Sequence, residues 1–105
     1  MSVTYRSAAR QFIERRVSGP QWLLDEQIAD CDYMRYLIHV RFPDIRRCDQ
    51  WQVKHVRWVL EIALADVSPR RRYQYYLSVK TFAKAMKRWV GWKRHLRGPW
   101  TTPEP

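Results

Sequence analysis

No stretch of this chain carries the roughly 20 successive apolar residues that a membrane-spanning helix needs. Its opening, MSVTYRSAARQF, also lacks the apolar centre of a secretory signal. A soluble, cytoplasmic protein with no membrane partner is expected. Cysteine is scarce: Cys31 and Cys48 stand alone with no CxxC pair, too few for a disulfide scaffold and consistent with a reducing compartment. Neither they nor His39, His55 and His95 fall at the close spacings of a zinc site, and Cys31 lies on an apolar strip, so no metal is expected. With only three glycines there is no glycine-rich phosphate loop, and no nucleophile motif occurs, so neither a cofactor nor catalysis is expected. Asp25, Glu26, Asp30 and Asp32 form an acidic patch, but carboxylates spread over a helix are ordinarily solvated rather than converged on a catalytic metal. His55, between Trp51 and Trp58, reads as a packed imidazole before a general base.

The most informative absence is of negative charge at one end. Between Ser68 and Gly98 there is no Asp or Glu, against ten cations: Arg70, Arg71, Arg72, Lys80, Lys84, Lys87, Arg88, Lys93, Arg94 and Arg97. Residues 1–66 hold ten basic and nine acidic groups, so this last third carries nearly the whole net charge of +10. An uncompensated run of this kind repels itself, and a polyanionic partner, most often nucleic acid, relieves it.

Six Trp, six Tyr and three Phe in 105 residues separate the chain from a disordered polycation, because large rings bury area efficiently in a short chain. The expected organisation is one helical domain over residues 1–98 and an irregular, proline-rich tail over 99–105. The fold class is all-α: a compact antiparallel bundle of about four helices whose last helix is long and basic.

The first helix is expected over 4–17, capped by Ser2 or Thr4, with Ala9, Phe12, Ile13 and Val17 inward and Gly19-Pro20 as its stop. Pro20 opens a second helix with a strip of Leu24, Ile28, Cys31 and Ile38. Its later part, DYMRYLIHVRF, alternates like a strand, but a lone strand would leave its backbone groups unpaired, so helix to about residue 41 is preferred. Phe42-Pro43 stops it. Asp49 is expected to cap a third helix over 50–67. Val53, Val56, Leu60, Ala63, Leu64 and Val67 form one apolar face of it, and Trp51, His55, Trp58 and Ile62 a second, nearly opposite one. Such a helix is central in a bundle, or else its second face meets a partner.

Ser68 and Pro69 open the fourth helix, 69–97, and Gly98-Pro99 close it. Tyr75, Val79, Phe82, Met86, Trp89 and Leu96 point inward, Lys80, Lys84, Lys87 and Arg94 outward, and a bend is expected near Gly91.

These patterns predict a non-catalytic nucleic-acid-binding protein, a candidate small subunit of a ribonucleoprotein assembly. Its contacts are Arg70, Arg71, Arg72, Lys80, Lys84, Lys87, Arg88, Arg94 and Arg97 to phosphates, with Tyr73, Tyr76, Trp92 and Trp100 stacking on unpaired bases. RNA and DNA fit equally, single strands somewhat better than duplex. The outer face offers Lys, Arg and Tyr rather than base-reading amides, so backbone recognition is favoured over sequence reading and over a helix-turn-helix. The competing class is a protein-interaction module or inhibitor that docks on an acidic surface, with Trp51, His55 and Trp58 as partner-binding residues. In a homo-oligomer, the 25–32 acidic patch of one copy would meet the basic helix of the next.

Overall fold

Two prolines bound the longest element. In the computed structural model, which describes residues 7–103, α2 runs Gln21–Arg41, entered from an extended Pro20 and ended at Phe42, whose φ of −125° and ψ of 82° obey the restriction that Pro43 imposes. The segment with strand-like alternation is helical. Met34 and Ile38, one turn apart, are fully buried, while Tyr36 and Val40 between and beyond them face outward. Helical spacing therefore settles which residues enter the core, with Leu24, Ile28 and Cys31 completing the strip.

Before it, α1 spans Ala8–Arg16. Ser7 caps it, its Oγ accepting from the Arg10 N–H at 3.0 Å, and Ala9 and Ile13 face the core. The caps expected at Ser2 or Thr4 lie outside the described residues.

The third segment departs from expectation at its start. Asp49 caps nothing; it lies in a 3₁₀ turn, Cys48–Gln50, with its carboxylate on Arg47 at 3.0 Å. Trp51 and Gln52 are extended, which drives the Trp51 ring into the core against Phe82, centroids 5.0 Å apart. Helix α3, Val53–Trp58, then begins with the Gln52 N–H donating to His55 Nδ1 at 3.0 Å. It widens into a π-helical turn, Val59–Ala63, where the Leu64 N–H reaches back to the Val59 carbonyl at 2.9 Å. Val56, Val59, Leu60 and Leu64 are buried on one side and Trp51 and His55 on the other, as a central, two-faced segment requires, while Ile62 is exposed.

Helix α4, Pro69–Ala85, starts where the sequence places it, with Ser68 Oγ accepting from the Arg71 N–H at 3.3 Å. It lies against α1 and α2 through Tyr75, Val79, Phe82 and Ala83. It does not continue to residue 97. The Arg88 N–H bonds the Ala83 carbonyl at 2.8 Å and the Lys87 N–H the Lys84 carbonyl at 3.0 Å, the paired closure of a Schellman motif, with Lys87 at φ 58° where glycine is usual. The break thus falls at Lys87 and not near Gly91, which sits inside a short helix α5, Trp89–Trp92. The turn also relieves a conflict in the straight-helix reading, because Lys93, which would have faced the core, is exposed.

A 3₁₀ turn, Lys93–Leu96, buries Leu96, and the tail expected to be irregular begins with another, Pro99–Thr101, that buries Trp100. The Trp100 Nε1–H donates to the Leu96 carbonyl at 2.8 Å, and the ring lies so close over Gly98 that any Cβ there would collide with it. Among the described residues the result is an all-helical, bundle-like globule of five helices and no strand, with a Cα radius of gyration of 13.3 Å.

Candidate nucleic-acid interface

The ten cations of the last third divide by where their heads go. Arg71 reaches across to α2, its Nη2 2.6 Å from Asp30 Oδ1 and its Nη1 3.3 Å from Oδ2, with the guanidinium 4.1 Å from the Tyr75 ring centre. The hydrogen bonds to Asp30 hold the Arg71 pKa above its ordinary value. Arg72 caps the end of the π-helical segment, Nε on the Leu60 carbonyl at 2.6 Å and Nη2 on that of Glu61 at 3.1 Å. Arg88 turns inward to the carbonyls of Asp49 and Trp51, at 3.0 and 3.3 Å. These three arginines, expected on a ligand, are spent inside the molecule. A guanidinium satisfies buried carbonyls in a fixed fork, and that makes it useful to the fold.

The lysines do the opposite. Successive steps of three and four residues place Tyr73, Tyr76, Lys80 and Lys84 along one outward stripe of α4, with Lys87 at its end. Among the described residues the ion pairs engage Arg10, Arg47, Arg57 and Arg71 and no lysine. The acidic patch does not cover the stripe: Asp25 pairs with Arg10, and Asp30 with Arg71 and the Ser78 hydroxyl. The stripe's upper half is aromatic. The Tyr73 and Tyr76 ring centres are 6.4 Å apart at 33°, Trp89 lies 6.1 Å from Tyr76, and Lys80 Nζ stands 5.5 Å from the Trp89 ring centre. All four are half-buried, and burial pushes the Tyr76 phenol pKa up. Trp89, read from the sequence as core, packs against the core as a half-buried ring and also forms part of this edge.

Arg70 is exposed at the start of the helix, and Lys93, Arg94 and Arg97 at the far end, Arg94 Nε resting 3.2 Å from His95 Nε2. Trp92 is buried, 8% exposed, and Trp100 is held between core and tail, so neither offers a face for stacking. Trp51 and His55 are buried as well, the imidazole against Phe42 with ring centres 4.8 Å apart, and this removes them as a partner-binding surface; Trp58 is half-buried, edge-on to Phe42. Cys31 and Cys48 are free and buried, and burial lifts the Cys48 thiol pKa to about 12.

Two depressions border this surface. Trp22, Glu26, Arg70, Tyr73 and Leu77 line a groove of about 780 Å³ between α2 and α4. A smaller one, about 450 Å³, lies among Val53, Lys54, Arg57, Arg94 and His95. Lys54 does not stand out in the sequence, being one polar residue among many on its own helix; only the fold brings it beside Arg94.

The chain is thus a small all-helical protein with a lysine-rich, aromatic-edged stripe, and no helix among the described residues is long and apolar enough to cross a membrane. It matches no protein-family model, no curated protein and no solved structure.

Proposed function

We propose that this protein binds nucleic acid without catalysis, along the outward stripe of α4. The observation that carries the reading is that Lys80 and Lys84 share one face of α4, with Lys87 exposed just beyond its end, have no carboxylate of the described residues bound to them, and continue directly into the half-exposed rings of Tyr73, Tyr76 and Trp89. Ammonium groups one turn apart can follow a phosphate backbone, and each phosphate neutralised releases counterions. The aromatic edge suits unpaired bases, each stacked base contributing roughly 1–3 kcal/mol. Arg70, Lys93, Arg94 and Arg97 extend the positive surface at both ends, whereas Arg71, Arg72, Arg88 and Trp92 act only by holding the scaffold. A cytoplasmic role as a small subunit of a ribonucleoprotein assembly is compatible with this chemistry.

The test is binding to single- and double-stranded RNA and DNA across a salt series. Charge reversal at Lys84 and Lys87 together is expected to lower affinity at least tenfold and to flatten the salt slope by roughly 0.7–0.9 for each phosphate that is no longer neutralised. Arg15→Glu with Arg46→Glu, an equal change of charge at two exposed positions outside the stripe, serves as the control. Equal losses in both variants would reduce the effect to net charge and defeat the proposal.

A further inference from the structure

The long helix α2 carries a second seam that its own fold leaves uncovered. Trp22, Glu26, Ala29, Tyr33, Tyr36 and Val40 are all exposed and are spaced by alternating steps of four and three, the a/d repeat of a coiled coil. Trp22 is 65%, Tyr36 58% and Val40 63% exposed, large apolar surfaces that a monomer ordinarily scatters and does not align along one helix. The opposite side of the same helix supplies Leu24, Ile28, Cys31, Met34 and Ile38 to the core, so α2 is apolar on two sides and covered on one.

We infer that this seam is the interface between two copies of the chain, paired antiparallel through α2 about a two-fold axis at the level of Cys31. Self-complementarity decides the occupant, and charge the direction. Most charges of the helix are engaged within the copy, Asp25 with Arg10, Asp30 with Arg71 and Arg35 with the Arg46 carbonyl, and Glu26 is the charge that lies in the seam itself. A parallel pair would set Glu26 against itself inside the seam. An antiparallel pair moves the two Glu26 carboxylates apart, sets each against Tyr36 of the other copy, and opposes the helix dipoles. Side-chain size agrees with this register. The knob layers become Trp22 with Val40 of the second copy, Ala29 with Tyr33, and Glu26 with Tyr36, whose phenol can donate to the carboxylate. Leu23 and Leu37, half-buried beside the seam, meet across the same interface. One contact opposes the pairing: Asp32 approaches its own mate near the axis, but it is half-buried and takes a hydrogen bond from the Ser7 hydroxyl, away from the seam. Self-association of this kind is isologous and closes at two copies; it requires none of the stripe's lysines, although Tyr33 touches Tyr75 of α4 and Trp22, Glu26 and Ala29 share the α2–α4 groove with Arg70 and Tyr73.

Sedimentation equilibrium of the full chain without nucleic acid tests it. A reversible monomer–dimer equilibrium is expected. Ala29→Arg and Val40→Asp, both at exposed positions, should each weaken the dimer at least tenfold while leaving the helical circular dichroism and thermal unfolding of the monomer in place. A nitroxide on Gln21→Cys fixes the direction, the native cysteines being buried. Antiparallel pairing separates the two labels along the axis by about 30 Å, at about 1.5 Å per residue, and parallel pairing brings them together. A chain that stays monomeric throughout the accessible concentration range would overturn the inference, as would a dimer indifferent to both substitutions or one with adjacent labels.

Discussion

Arg71 on α4 and Asp30 on α2 form a two-armed ion pair, 2.6 and 3.3 Å, whose carboxylate end is 9% exposed and also accepts from the Ser78 hydroxyl at 2.8 Å. This contact joins the two longest helices, and it converts one member of the arginine cluster from a ligand contact into a structural one. Asp30→Ala would remove the charged partner of Arg71, leaving it the Gln74 Oε1 at 3.3 Å, and one acceptor of the Ser78 hydroxyl, leaving it the Gln74 carbonyl at 3.1 Å. Because the arginine side chain is 42% exposed, water recovers part of the loss, and a destabilisation of about 1–3 kcal/mol is expected in chemical denaturation. Nucleic-acid affinity of the folded fraction should not change.

The same logic separates Arg70 from its neighbours. Arg70→Ser should leave the melting temperature unaltered and weaken binding slightly, whereas Arg72→Ser, which uncaps the carbonyls of Leu60 and Glu61, should lower stability by about 1.5–3 kcal/mol. Measuring unfolding and affinity on both variants distinguishes a surface cation from a capping one; two identical profiles would contradict the assignment.

Lys87 holds a left-handed backbone at φ 58°, a conformation that disfavours side chains by roughly 1–2 kcal/mol, of which glycine's extra freedom in the unfolded chain returns part. Lys87→Gly is therefore expected to raise stability by about 0.5–1 kcal/mol. Since the ammonium belongs to the proposed stripe, affinity should fall in the same variant. Stability and binding moving in opposite directions is the signature to look for.

Trp100 is 2% exposed, with guanidiniums of Arg57 and Arg72 lying 5.3 and 5.1 Å from its ring centre. Trp100→Ala should destabilise by about 3–5 kcal/mol, and ending the chain at Arg97 should do much the same. A ring used to stack on bases would instead give weakened binding with unaltered thermal unfolding.

His55 supplies a pH dependence of known sign. Burial, and secondarily Lys54, depress its pKa, and its Nδ1 must stay unprotonated to accept from the Gln52 N–H. The unfolded chain therefore takes up a proton before the folded one does. The stabilisation is complete above the ordinary imidazole range and is lost as pH falls through that range towards the depressed value. Asp32, whose pKa burial raises, acts oppositely: its contribution is largest in acid and declines as pH rises past the ordinary carboxylate range. Thermal unfolding should accordingly weaken between neutral and mildly acidic pH, and His55→Gln should flatten that slope. An unchanged slope in the variant would place the titrating group elsewhere.

Much of this fold is local and was legible as such. Pro20 and Phe42-Pro43 bound α2, Ser68-Pro69 opens α4, and the inward strips Leu24–Ile38 and Tyr75–Phe82 follow from spacing alone, because steric limits and helical period act within a few residues. The segregation of positive charge into the last third is equally a property of the chain. What only the tertiary structure decided is which cations remain outside. Arg71, Arg72 and Arg88 look like Lys80, Lys84 and Lys87 in a charge count, yet Asp30 and the carbonyls of Leu60, Asp49 and Trp51 come to them from remote parts of the chain. The reversal at Lys87 and the burial of Trp92 and Trp100 have the same origin. Guanidinium forks and indole rings find their places once distant backbone is brought alongside, while the strongly hydrated ammonium of lysine stays in water.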